Sequence, residues 1–323
     1  MKNVFFILLL IIAANGFSQS LDVDQTSQFL KPRLRLDTRY FSTLESDQNN
    51  LHFYDAQLLF SAPIHTRVKS NLVDVFSGGF DLKKIKDEGQ LRFSQQMLSA
   101  KVGYKNLYLD TSSVTTKDIY SASIGLFGLQ SLKKLNILFY SVNANFSESS
   151  QSLEKLRPGF SGIIGDVKIK GLKKYYVYGL FAAYVGNRFI ACPFFGANLE
   201  LKKHHYLNFV LPAYFGYNYS KNNINNTVAI GFDGFRTGLL DNLDNYTNLN
   251  MGALSLYNSF RYKMRKGFWL RFDAGLLSRG VLRFNTSGVS QKFNLPPGYY
   301  FTAGVHYNFG SPALKQINLL DLL

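Results

Sequence analysis

The chain reads as an all-β protein, a single transmembrane antiparallel β-barrel of about 12–14 strands, and three observations predict it. The one long apolar run, Val4 to Ala14, is about half of what a membrane-spanning helix needs, and no later window approaches that length and apolarity. From Arg33 onward, apolar and polar residues alternate in segments of roughly 11–14 residues, close to the roughly 9–11 that a tilted strand needs to cross a bilayer. Aromatic residues are 15% of the chain, with 29 Phe and 20 Tyr against one Trp and eight Pro, and these are strand-forming side chains. A mean hydropathy of −0.06 agrees, because a barrel strand averages a lipid face with a lumen face.

The N-terminus is predicted to be a secretory signal peptide over residues 1–18. Lys2 precedes the apolar run, and the small residues Gly16 and Ser18 stand where a signal peptidase reads. The mature chain then starts at Gln19, outside the cytoplasm, with residues 19–32 as a polar periplasmic lead-in. The barrel is assigned to residues 33–309 and a C-terminal tail to 310–323. A net charge of +15 could suit nucleic acid, which an exported barrel does not meet, so an anionic membrane surface is the expected partner.

Taken in order, the alternation predicts strands at Arg33–Phe41, Leu51–Pro63 and His65–Phe76, with Ala62-Pro63 as the turn between the last two. Gln90–Tyr104 follows, then a stretch, Lys105 to Lys117, with no clear pattern. Beyond it come Asp118–Leu129, Leu135–Phe146, Phe160–Lys170, Tyr175–Val185, Phe189–Leu201 and His205–Tyr219. Asn226–Leu239, Asn250–Tyr262, Gly267–Arg279 and Tyr299–Phe309 complete the set. Ser147–Pro158 and Leu239–Leu249 are long loops that should face outward but fall on opposite rims of this count.

Faces follow from cost. An Arg facing lipid at the bilayer midplane costs about 2–4 kcal/mol, so charged faces must look inward and the interior should be polar. That assigns Asp166, Lys168, Lys170, Glu200, Asp233, Arg261, Arg271, Asp273, Arg279 and His306 to the lumen. The turns are short and basic: Lys133-Lys134, Lys173-Lys174, Lys202-Lys203 and Arg265-Lys266. Lys and Gly suit any solvated hairpin, and a second reading is a cationic rim that grips lipopolysaccharide phosphates. The first three turns fall on one rim and Arg265-Lys266 on the other.

The last strand carries a resemblance. Thr302, Gly304, Tyr307 and Phe309 stand in the order polar-x-Gly-x-x-aromatic-x-aromatic, which resembles the terminal-strand assembly signal of bacterial outer-membrane β-barrels. The resemblance implies that the barrel-assembly machinery reads this strand and that it closes the barrel against the first. Tyr178-Gly179 through Phe189, Pro193-x-x-Gly196 and Asn208-x-x-Leu211-Pro212 look like an uncharacterised Bacteroidetes-type outer-membrane barrel family, classed as a domain of unknown function. That likeness implies a location and a fold and supplies no catalytic residues. The residues after Phe309 depart from the pattern, and the tail is expected to lie on a rim, plug the lumen or bind an envelope partner.

No motif for phosphate, metalloprotease or serine-hydrolase chemistry is present, so neither a cofactor nor a metal is expected. His204 and His205 are neighbours that would point to opposite faces of a strand and cannot share a metal there. His306 should face the lumen, where it could act as a base only beside a serine and an acid. Cys192, the one cysteine, reads as a small apolar filler. The leading expectation is passive passage of small solutes or lipophilic molecules, without enzymatic activity. A non-conducting structural or interaction barrel and a lipid-acting barrel enzyme are the alternatives.

Overall fold

The computed structural model describes residues 32–44, 50–69, 92–110, 114–132, 136–148, 157–171, 174–185, 188–240, 246–265, 267–286 and 289–309. They form sixteen antiparallel strands in one sheet. These are β1 Arg33–Thr43, β2 Asn50–Lys69, β3 Arg92–Asp110, β4 Val114–Ser131, β5 Asn136–Glu148, β6 Arg157–Gly171, β7 Lys174–Val185 and β8 Arg188–Lys202. They continue with β9 His205–Leu211, β10 Tyr214–Lys221, β11 Ile224–Leu240, β12 Tyr246–Arg265, β13 Phe268–Leu277, β14 Gly280–Thr286, β15 Val289–Leu295 and β16 Gly298–Asn308. Neighbours pair in sequence from β1 to β13, and β16 lies between β13 and β1, so the ring closes. With β14 and β15 outside that ring, the barrel has 14 strands. β14 and β15 prolong the β13–β16 hairpin past its edge, with β14 lying on the first residues of β12.

Arg33 faces Asn308, so both ends of the barrel lie at one rim, called here the terminal rim. The outer surface is apolar all round. Leu36 on β1, Leu58 on β2, Val102 on β3, Ile124 on β4, Val142 on β5, Ile164 on β6, Leu180 on β7, Phe215 on β10, Leu256 on β12 and Phe272 on β13 are all exposed. So large a continuous apolar surface suits hydrocarbon and not water.

The strand count is right, although two predicted boundaries are wrong in compensating ways. Ala62-Pro63 is not a turn: β2 runs through it, with a bulge between Pro63 and His65. In the opposite sense, His205–Tyr219 is not one strand but the β9–β10 hairpin, with its turn at Pro212-Ala213. The false turn inverted the direction of every strand from β3 to β9, and the missed turn restored it. With directions corrected, the strand ends flanking Ser147–Pro158 and Leu239–Leu249 share the far rim. The strand ends flanking all four basic turns, Arg265-Lys266 included, share the terminal rim. Of the patternless stretch, Lys105–Asp110 ends β3 and Val114–Lys117 opens β4. The signal peptide, the lead-in up to residue 31 and the tail from 310 lie outside the described residues, as do Lys133, Lys134 and Lys173.

Candidate functional site in the barrel interior

β1 sets the inner surface. Its alternation, Arg33-Leu34-Arg35-Leu36-Asp37-Thr38-Arg39, sends every second residue inward, and all of those up to Arg39 are charged. Arg39 is held by Asp233 of β11, four places away around the ring, through Nη1 to Oδ1 at 3.0 Å and Nη2 to Oδ2 at 2.5 Å. This fork of two charge-assisted bonds ties two separate parts of the wall together across the interior. The guanidinium also lies over the Tyr300 ring, 4.1 Å from its centre.

Two further groups surround that bridge. On one side Lys105 donates from Nζ to Asp55 Oδ2 at 3.2 Å and sits 4.2 Å from the Phe53 ring centre. Gln57 also donates to Asp55, at 3.0 Å. On the other side Asp37 pairs with Arg35 and lies 3.0 Å from His306 Nε2, while Arg271 forks onto Asp273 at 3.0 and 2.6 Å. Gly304 makes room for this cluster, because a Cβ there would stand 2.1 Å from Asp37 Oδ1.

The rest of the interior mixes polar and apolar side chains: Gln95, Asn218, Thr227, Ser255 and Ser259 are buried, with Asn218 donating to Thr227 Oγ1 at 3.1 Å, beside two apolar clusters. Phe41, Leu51, Phe53, Leu107, Leu109, Leu249, Met251, Leu282, Leu295 and Tyr300 form one buried cluster toward the far rim. A second joins Phe139, Ile163, Phe181, Ala183, Cys192, Phe194 and Val210, from β5 to β9. Between them β11 approaches β5 across the interior, although the two are six places apart in the ring. The inward residues of β11 are small there, Thr227, Ala229 and Gly231, which permits the approach. The barrel is thereby pinched into two lobes, one holding the ionic pairs with the first cluster and the other the second apolar cluster.

Of the predicted lumen residues, Asp233, Arg261, Arg271, Asp273 and His306 do face inward, and so does Glu200. Asp166, Lys168 and Lys170 do not. They share the outward face of β6 with Phe160 and Ile164, and Asp166 accepts a hydrogen bond from the exposed Tyr178 hydroxyl at 2.8 Å. These three lie in the last turn-ward residues of β6, beside the basic terminal rim, where water meets the wall and a charge may face outward without crossing hydrocarbon. Arg279 is exposed at the bend between β13 and β14 and lines nothing. Sequence reasoning missed Arg33, Arg35, Asp37, Arg39, Asp55 and Lys105, although the alternating charges of β1 were a readable signal.

Thr302, Gly304 and Tyr307 lie in β16, which closes the ring, and Phe309 follows it with its N–H donating to Pro32 at 3.0 Å. Lys174, Lys202 and Lys203 are exposed at the terminal rim. Ser42 lies with its Oγ 2.6 Å from His52 Nδ1, yet none of the described hydrogen bonds brings a carboxylate to His52, and Ser42 is buried. His306 faces Asp37 rather than a serine. No cluster of metal-ligating side chains occurs among the described residues.

No protein-family model matches the chain, and no curated protein matches its sequence. Solved structures do resemble it. An outer membrane channel from Pseudomonas putida F1 is 10% identical, with 86% of this chain and 96% of that one aligned and a TM-score of 0.39. Omp33, an outer membrane protein of Acinetobacter baumannii, is 6% identical over 87% and 99%, with a TM-score of 0.35. The β domain of the Bordetella autotransporter BrkA is 9% identical over 86% and 100%, at 0.34. These are likenesses of general architecture, and the barrel itself rests on the strand pairing given above.

Proposed function

We propose that the protein is an outer-membrane β-barrel that handles lipophilic molecules and does not pass hydrated solutes. The observation that carries this reading is the interior itself: two buried apolar clusters and an ionic bridge occupy the space where a water-filled pore would run. Pores for hydrated solutes are lined by polar side chains around open water, and apolar clusters set across the interior instead favour guests that need no hydration. The apolar outer band and the signal-peptide reading support an outer-membrane location, and the closing strand supports delivery by the barrel-assembly machinery. The basic terminal rim is on the side of the chain ends, and the reading that its lysines grip anionic membrane phosphates, those of lipopolysaccharide included, stays part of the proposal. An envelope component bound through residues 310–323 stays part of the proposal. The complete burial of Leu51, Leu249 and Leu282 also favours a second reading, a closed barrel that serves as an anchored interaction module.

Planar-bilayer recording with the refolded protein separates these readings from a pore. The expected result is a folded, heat-modifiable barrel without steady conductance, together with faster uptake of an uncharged hydrophobic dye by intact cells that carry the protein than by cells that lack it. Steady ion conductance would overturn the proposal. Absence of both conductance and dye uptake would leave the interaction module.

A further inference from the structure

The wall of the barrel is incomplete beside the second lobe. β9 has seven residues and β10 eight, whereas β7, β8 and β11 have 12, 15 and 17. Seven residues reach about 23 Å along a strand, and less once tilted, so β9 falls short of the roughly 9–11 residues that cross the hydrocarbon. The β8–β9 ladder ends at Phe195 and Leu211, and the β10–β11 ladder at Tyr214 and Gly231. One more bond, from Phe232 N–H to the Ala213 carbonyl at 3.1 Å, ends the wall there. Toward the far rim, β8 continues seven residues further to Arg188 and β11 continues to Leu240, with no strand between them among the described residues.

The β8 side of this gap is apolar on both faces, and the β11 side carries Asp233, held inward by Arg39. Phe189, Ala191 and Pro193 are exposed on the outer side of β8, and Phe189 is 70% exposed, the highest value among the large apolar residues that are described. On the inner side Cys192 belongs to the second cluster, three residues beyond the last β8–β9 pair. A gap two strands wide could take a strand from another protein, but Pro193 lies in that edge and lacks an N–H to donate, the usual device against strand addition. What fits an apolar gap that refuses a strand is a lipophilic molecule already dissolved in the bilayer.

We propose that the gap between β8 and β11, above the β9–β10 turn at Pro212-Ala213, is a lateral binding site and portal for lipophilic molecules from the membrane, leading to the Phe181–Cys192–Phe194 cluster. This deepens the functional reading above and rests on it. Cys192 supplies the reporter, because it is the one cysteine of the chain.

The test labels the protein in lipid vesicles with a pyrene maleimide dissolved in the bilayer, and separately with a charged thiosulfonate in the buffer. The reference is Cys192→Ala with Leu107→Cys, which puts the thiol in the buried cluster of the other lobe. Since thiol reactivity follows access, the bilayer reagent should label Cys192 about tenfold faster than the reference thiol, and the charged reagent should label neither. Ala191→Trp, on the outer lip, should slow the bilayer reaction while heat-modifiability remains. Equal labelling at both thiols, or labelling by the charged reagent alone, would overturn the portal. So would protection of Cys192 in native membranes but not in pure lipid, because a protein partner would then cover the gap. Ion conductance would sink the functional reading without touching the labelling result, and dye uptake with an unlabelled Cys192 would sink the portal alone.

Discussion

The two lobes of the interior are closed by different means. In the first, charges on β1, β2, β3, β11, β13 and β16 are joined in pairs beneath the Phe41–Leu51–Leu249 cluster, and long ladders continue on either side. In the second, the Phe139–Phe181–Phe194 cluster stands alone, and its wall stops at the Pro212-Ala213 turn. A buried charge is costly unless paired, so the first lobe has little freedom to rearrange without leaving a carboxylate or guanidinium unmatched. An apolar cluster has no such constraint, because side chains can part around an apolar guest and close again. Rigidity belongs to the first lobe and adaptability to the second.

The strongest way to break that contrast is to remove one partner of the bridge. Asp233→Ala leaves the buried Arg39 guanidinium without its fork and should cost about 3–5 kcal/mol. The chemical-unfolding midpoint in lipid vesicles, followed by the fluorescence of Trp269, reports it, and a drop of under 1 kcal/mol would show that the bridge does not hold the lobe. Next comes Phe181→Ala in the second cluster. A buried Phe→Ala change costs about 3–5 kcal/mol when the site cannot collapse, and an adaptable lobe places it at the lower end of that range. Phe41→Ala, in the first lobe, should cost more. Equal losses would remove the distinction between the lobes.

A smaller effect is expected at Gly304→Ala. The new methyl group would meet Asp37 Oδ1 at 2.1 Å, and relief requires moving a carboxylate that also serves Arg35 and His306. Overpacking of this kind costs about 1–3 kcal/mol. Gly304→Ala should therefore lower the unfolding midpoint even though Gly304 is read as part of the assembly signal. A loss of assembly with an unchanged midpoint in refolded protein would assign Gly304 to recognition alone.

The barrel was legible in the sequence because lipid enforces a period of two along a strand, and most of the strands show it. The turns were less legible, and two prolines explain why. Pro63 looked like a turn, but a proline is tolerated within a strand at a bulge, and that is where β2 places it. Pro212 marked a true turn that the pattern concealed. Partners across the β9–β10 hairpin, such as Phe209 and Phe215, are both odd-numbered, so alternation continues in phase through the two residues between the strands. The interior was harder still. Periodicity separates inside from outside but does not say which inward side chains meet, and nothing local links Arg39 to Asp233. Near the terminal rim the cost that sorts charges also fades, which is why Asp166, Lys168 and Lys170 were placed on the wrong face.

That last difference gives the smallest and most discriminating prediction. Asp166 and Asp233 are both carboxylates in barrel strands, and the sequence assigns them to the same lumen. The structure puts Asp166 outside, hydrogen-bonded to an exposed Tyr178, and Asp233 inside, gripping Arg39. An exposed polar pair contributes little because water replaces it, so Asp166→Ala should move the unfolding midpoint by no more than about 0.5 kcal/mol. A water-soluble carbodiimide should modify Asp166 in the folded barrel and leave Asp233 untouched. If Asp166→Ala proved as costly as Asp233→Ala, Asp166 would have to face inward, β6 would be turned over, and the apolar face that carries Ile163 into the second lobe would be lost with it.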